Sequence, residues 1–147
     1  MSEQRATPSS ADLAPRLRLA VMRLARRLRQ EGEGPLTPSQ TSAMHTIERL
    51  EPVTLGDLAG AERVQPPSMT RIVASLEDVA YVTREIDAGD RRIARVRLTA
   101  EGRRLLERGR TRKTAYLATR LRGLGERDSE ALERAVGIIE GLIGEPR

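Results

Sequence analysis

Proline divides the middle of this chain so tightly that no helix longer than about four turns fits between one proline and the next over residues 35–67. Thr37-Pro38-Ser39-Gln40 combines a threonine cap, a proline at the first helical position and a glutamine three residues after the cap, so a helix opens there. Met44, Ile47 and Leu50 give it one buried face, and Pro52 stops it. Thr54 is placed to cap a short third helix containing Leu55, Leu58 and Ala59. After a turn at residues 63–65, Pro66 and Pro67 open a fourth, in which Met69, Ile72, Val73 and Leu76 face inward. That spacing leaves Pro67, Ser68, Thr70, Arg71 and Ser75 facing outward, a surface of small, polar and basic side chains behind a cap at Gln65.

Longer elements flank this centre. Leu13, Leu17, Val21, Leu24 and Leu28 fall on one helical stripe and predict a first helix over residues 12–30, joined to the second by a linker containing Gly32, Gly34 and Pro35. Residues 81–86 and 93–98 have strand character on either side of the turn Asp87-Ala88-Gly89-Asp90, which predicts a β-hairpin with Arg91 and Arg92 at its tip. Thr99 then caps a long fifth helix over residues 100–122. Asp128 is expected to cap a sixth, with Leu132, Val136, Ile139 and Ile143 on one face. The predicted fold is mainly α with a small β-hairpin wing: a winged helix-turn-helix domain over residues 37–99 and a helical dimerisation region over 12–36 and 100–147, behind a disordered tail at 1–11. Long terminal helices in so short a chain have too little neighbouring core to cover them. Leu13 and Leu17 with Leu132, Val136, Ile139 and Ile143 are therefore expected to pack across a homodimer.

The chemistry comes from arginine. The net charge is +5, and of 26 cations only Lys113 is a lysine. The cations concentrate: residues 84–113 carry a net +6, whereas 31–83 carry −5. A guanidinium fork suits phosphate and base edges, so the patterning points to double-stranded DNA as partner. A helix-turn-helix sets its second helix in the major groove and a hairpin wing reaches the backbone and minor groove beside it. Arg71 is placed for a guanine edge, Ser68 and Thr70 for bases or phosphates, and the start of the fourth helix for a phosphate on its backbone N–H groups. Arg92 is the minor-groove probe with Asp90 orienting it, while Arg91, Thr54, Arg84 and Arg95 are the phosphate contacts. The arginines of the first helix read first as a solvated face, and Arg16 and Arg23 with His45 are the candidate lining of an effector pocket.

With these residues in place, the chain resembles the multiple antibiotic resistance regulator (MarR) family. The resemblance rests on Leu36-Thr-Pro-Ser-Gln, on Val64-Gln-Pro-Pro-Ser-Met-Thr-Arg-Ile-Val-Ala-Ser-Leu-Glu, on Asp87-Ala-Gly-Asp-Arg-Arg and on Val96-Arg-Leu-Thr-Ala-Glu-Gly. It implies an intertwined dimer through helices 1, 5 and 6, recognition helices in successive major grooves of a pseudo-palindrome, and repressors released by small anionic or phenolic ligands. Three positions depart from the family pattern. Gln65 stands where serine often caps the recognition helix, and Thr41 where an aromatic is common. Asp78-Val79-Ala80 lacks the glycine that usually precedes the wing, which predicts a stiffer or differently shaped hinge.

Other functions find little support. There is no cysteine for a disulfide or thiolate site, no glycine-rich phosphate loop, and no nucleophile paired with a base. Asp87 and Asp90 read as turn chemistry, so no metal or other cofactor is expected and the chain is not read as an enzyme. No apolar run approaches membrane-spanning length, which predicts a cytoplasmic protein with no membrane partner. The expected function is a dimeric, sequence-specific DNA-binding repressor with a small-molecule effector. A winged-helix protein-interaction module and a non-specific architectural DNA binder are the alternatives.

Overall fold

The computed structural model describes residues 9–144. Six helices and three short strands follow one another as α1 (Ser10–Glu31), α2 (Pro38–Leu50), β1 (Val53–Thr54), α3 (Leu55–Glu62), α4 (Pro66–Asp78), β2 (Val82–Ile86), β3 (Ala94–Leu98), α5 (Ala100–Leu121) and α6 (Glu126–Ile143). The local signals act as expected at most boundaries. Thr37 Oγ1 accepts from Gln40 N, and Gln40 Oε1 accepts from Thr37 N, closing the capping box at the start of α2. Thr54 and Thr99 cap α3 and α5 through Asp57 N and Gly102 N.

The ends of the chain bring two corrections. The proposed tail at 1–11 lies mostly outside the described residues, but Ser10 and Ala11 are already helical, because the Ser9 hydroxyl accepts from Ala11 N. Helix α6 is capped by Gly125 with no side-chain hydrogen bond, and Asp128 falls inside its first turn, where its charge favours the positive end of the helix dipole.

One core serves the centre of the chain. Ala43, Met44 and Ile47 of α2 meet Leu58 and Ala59 of α3, Met69, Val73 and Leu76 of α4, Val82 of β2, Val96 and Leu98 of β3, and Leu105 and Leu106 of α5. Each fully buried Leu, Ile, Val or Met contributes about 1.5–3 kcal/mol from loss of apolar surface to water. The expected hairpin gains a third strand: the order is β1-β3-β2, all antiparallel, with Val53 opposite Val96 and Val82 opposite Leu98. Two residues are too few to show strand alternation, so β1 leaves no signal in the sequence. In contrast to the central elements, α1 and α6 contain no buried residue. Leu13, Leu132, Val136 and Ile143 are exposed, Leu17 and Ile139 half-buried, and Leu142 remains 72% accessible.

The junction between α4 and the wing takes the left-handed conformation that the missing glycine would have supplied. Ala80 has φ 60°, its N–H donates to Glu77 O, and Tyr81 N donates to Leu76 O, so the helix ends in a Schellman-type closure with an alanine at the glycine position. The Thr99 hydroxyl donates to Ala80 O and Thr99 N to Tyr81 O, tying the strained residue to the start of α5. The hinge therefore has the usual shape at the cost of strain. Gly102, the glycine of the Leu-Thr-x-x-Gly run, has a steric reason: a Cβ there would lie 2.2 Å from Tyr81 O, a backbone atom that cannot step aside.

Two substitutions at this junction should act in opposite directions. Ala80→Gly relieves a left-handed residue and should raise stability by about 0.5–1 kcal/mol. Gly102→Ala drives a methyl into the Tyr81 carbonyl and should lower it by about 1–3 kcal/mol. Urea unfolding midpoints read both, and shifts of the same sign would contradict this account of the hinge.

Candidate nucleic-acid interface

The outward face of α4 is built by the proline pair and the apolar face behind it. Met69, Val73 and Leu76 are buried, which turns Pro67, Thr70 and Arg71 to solvent and leaves Ser68 half-buried. Gln65 is the N-cap and makes no side-chain capping bond. The expected phosphate cradle at this helix start is not formed by the backbone. Pro66 and Pro67 have no N–H, and those of Ser68 and Met69 both donate to Gln65 O. Anion contact here falls to side chains. The Thr70 hydroxyl donates back to Pro66 O at 3.0 Å and keeps only its lone pairs for a partner.

Ser75 is not part of the outward face. It is half-buried, its hydroxyl donates to Ile72 O at 2.7 Å, and it accepts from Gln40 Nε2 at 2.9 Å. The period of the apolar residues had placed it outside, but it lies at the edge of the stripe and turns toward α2.

The wing tip is held by two aspartates with different tasks. Asp87 Oδ1 accepts from Gly89 N and Asp90 N, and its other oxygen takes Arg95 Nε at 3.2 Å, so the turn and β3 are locked together. These bonds, the backbone ones first, hold the Asp87 carboxyl below its usual range. Asp90 grips Arg92 through both carboxylate oxygens, at 3.1 Å to Nε and 3.1 Å to Nη2, and also accepts from Arg92 N. The Arg92 side chain is nonetheless 90% exposed, an oriented cation at the end of the wing.

The other arginines divide by partner. Arg84 pairs with Glu77 at 3.3 Å, joining β2 to α4, and Arg95 pairs with Asp87, so two of the expected phosphate contacts have internal carboxylates. Thr54 spends an oxygen lone pair on the α3 cap. Among the described residues Arg63, Arg71 and Arg91 enter no ion pair, and all three are exposed. Arg63 had not stood out in the sequence. It occupies the turn before α4 with φ 54°, and its only signal was a cation inside the helix-turn-helix turn.

A cleft of about 700 Å³ lies beside α2, lined by Arg26, Arg29, Gly34, Thr41, His45 and Lys113 among others. Of the three residues expected in an effector pocket, His45 lines it. Arg16 and Arg23 do not, because only the C-terminal end of α1 approaches the cleft, and Arg26 and Arg29 take their place. His45 sits below its ordinary pKa, first through burial and then through Lys113 and Arg110, with Glu48 opposing. Glu48 is itself lowered by its bond from Arg110, which also reaches Glu107. Among the described residues no group of three or more His, Cys, Asp or Glu is placed to hold a metal ion, and no helix is long and apolar enough to cross a membrane.

A short helix pair with an exposed basic recognition face, followed by a hairpin with an oriented arginine at its tip, defines a winged helix-turn-helix DNA-binding protein. Similarity to known proteins makes the class specific. The chain matches the MarR family over residues 36–94. It is 41% identical over 138 residues to an uncharacterized HTH-type transcriptional regulator of Mycobacterium leprae, covering 93% of this chain and 96% of that one. A transcriptional regulator protein from Pseudomonas aeruginosa, known from its crystal structure, is 30% identical with a TM-score of 0.78, over 95% of this chain and 100% of that one. A mutant of S. aureus MepR bound to an oligodeoxyribonucleotide shares the fold at 19% identity, with a TM-score of 0.71 over 89% and 97% of the two chains. This chain belongs to the MarR family and is a DNA-binding transcriptional regulator, not an enzyme.

The lowered pKa of His45 fixes a pH dependence. The folded state favours the neutral imidazole, so stability is full above the ordinary histidine value of about 6.5 and falls as pH drops through it. The lowered carboxyls, Glu48 among them, lose their contributions only as pH falls to the ordinary carboxylate range, about 4–4.5, and below. Between pH 7.5 and 5.5 the urea midpoint should therefore decline, and His45→Gln should flatten that decline. An unchanged slope in the variant would assign the effect elsewhere.

Proposed function

We propose that this regulator is a homodimeric repressor that binds a pseudo-palindromic operator in the cytoplasm, with α4 in the major groove and the wing beside it. The observation that carries the reading is the sorting of the arginines: Arg71 and Arg91 are exposed and enter no ion pair among the described residues, and Arg92 is held outward by Asp90. Arg71 reads a base edge, with Ser68 and Thr70 beside it and Gln65 and Pro67 shaping the approach. Arg92 probes the minor groove and Arg91 takes phosphate. Arg84 and Arg95 act by bracing the wing, and Thr54 by capping α3 next to the backbone. The oligodeoxyribonucleotide bound to the structurally similar MepR mutant supports DNA as the partner.

The dimer is supported by what α1 and α6 leave uncovered. Leu13, Leu132, Val136 and Ile143 are exposed on helices that contain no fully buried residue in the single chain. Residues 12–36 and 100–147 accordingly form the dimerisation region around the DNA-binding domain at 37–99. Two-fold pairing spaces the recognition helices by one DNA turn, roughly 34 Å. The cleft beside His45 is where a small effector acts, its cations suiting an anionic ligand.

Selection from random duplexes at two salt concentrations, with the mass in solution recorded alongside, tests this. A two-fold symmetric site enriched by a dimer is the expected result. Affinity should fall about 10³–10⁵-fold between 50 and 200 mM salt if roughly 6–10 phosphates are neutralised. Salt-sensitive binding without enrichment would mean a non-specific binder, and a monomeric mass would remove the dimer. Arg71→Ala should cut the preference for the selected site by about 1–3 kcal/mol, whereas Arg92→Ala should weaken specific and random DNA more evenly.

A further inference from the structure

A hydrophobic stripe decides which face of a helix turns inward, but apolar attraction itself has no direction and leaves the last few degrees of rotation to packing and to directional bonds. Met69, Val73 and Leu76 fix α4 against the core in this way. Among the described residues, a single side-chain hydrogen bond joins α2 to α4, from Gln40 Nε2 to Ser75 Oγ at 2.9 Å. Both partners are constrained by a second bond. Gln40 Oε1 accepts from Thr37 N at 2.9 Å, and the Ser75 hydroxyl donates to Ile72 O at 2.7 Å.

These partners leave the amide one orientation. Thr37 N is a donor and requires the oxygen of Gln40, which sends the NH₂ toward Ser75. Ser75 has spent its proton on Ile72 and can only accept. The link is therefore directional at both ends, and it lies part-buried, away from full competition with water. Ser75 stands one helical turn beyond Arg71, so a rotation at Ser75 is carried to Arg71. On a helix 10–12 Å across, a turn of about 10° moves a side chain at its edge by about 1 Å. The window for a base hydrogen bond, about 2.7–3.2 Å, is narrower than that.

We infer that Gln40 is a positioning residue for base recognition, setting the rotation of α4 through Ser75 so that Arg71 meets its base. The inference rests on the proposed entry of α4 into the major groove.

The test measures the ratio of affinities for the selected duplex and for random duplex in Ser75→Ala, Gln40→Met and the double variant, with unfolding midpoints alongside. Arg71→Ala serves as control of the groove reading, and Ser75→Ala leaves the α2 cap whole. The ratio is expected to fall about three- to tenfold in each single variant and no further in the double, since both remove the same bond. Ser75→Thr, which retains a hydroxyl, should keep it. If the midpoints drop while the ratio holds and Arg71→Ala still lowers it, the bond is merely structural and the inference is wrong. If Arg71→Ala leaves the ratio unchanged, the groove reading fails and takes the inference with it.

Discussion

The burial of one face of α2 is the constraint on which the rest of the structure depends. Ala43, Met44 and Ile47 are fully inaccessible, and the apolar sides of α3, α4, β3 and α5 close over them. The polar groups of the same helix then tie down each neighbour in turn. Ser42 and Thr46 both donate to Glu62 of α3, Gln40 reaches α4, and Glu48 receives Arg110 of α5. Just past the helix, Glu51 accepts from Leu98 N of β3 and pairs with Arg103. A short helix in the middle of the chain thus acts as the frame, with non-directional burial supplying cohesion and directional bonds supplying alignment.

That frame gives α4 and the wing a common origin. Helix α4 and the wing are joined to each other by Arg84 and Glu77 and to the start of α5 by the closure around Ala80 and Thr99. Helix α2 also touches the cleft through Pro38, Thr41 and Ser42, residues of the same turns that carry Gln40. A displacement of that first turn has a bonded route to α4. Internal pairing meanwhile sorts the arginines of a basic surface: Arg84 and Arg95 face carboxylates and brace the domain, Arg92 is held outward by its own aspartate, and Arg71 and Arg91 enter no ion pair among the described residues.

Much of this was legible in the sequence because the signals were local. Pro38, Pro52 and the Pro66-Pro67 pair decide where helices begin and end through a missing N–H and a fixed φ, whatever surrounds them. Thr37, Thr54 and Thr99 cap helices through bonds within three residues. The wing turn closes on Asp87 and Asp90 through neighbours in the chain. The blocked N–H groups at the start of α4 were equally available, since two consecutive prolines remove the donors a phosphate would use.

By itself, then, the sequence determined the order of the helices, most of their ends and inward faces, the place of the hairpin and the concentration of cations on it, all set by interactions along a few residues of chain. Leu50, expected on the buried face of α2, lies exposed at its last turn, and Gly125 rather than Asp128 caps α6. The tertiary structure alone decided that Ser75 turns inward, since its partner Gln40 is 35 positions away. It decided that Arg84 and Arg95 are paired while Arg63 and Arg71 have no ion-pair partner among the described residues, and that Arg26 and Arg29 rather than Arg16 and Arg23 line the same cleft as His45. It also placed Ala80 in a left-handed conformation that its side chain resists, because the bonds from Tyr81 and Thr99 outweigh that local preference. Each of these outcomes depends on which groups the packed core brings together from distant parts of the chain, and local pattern carries no record of that.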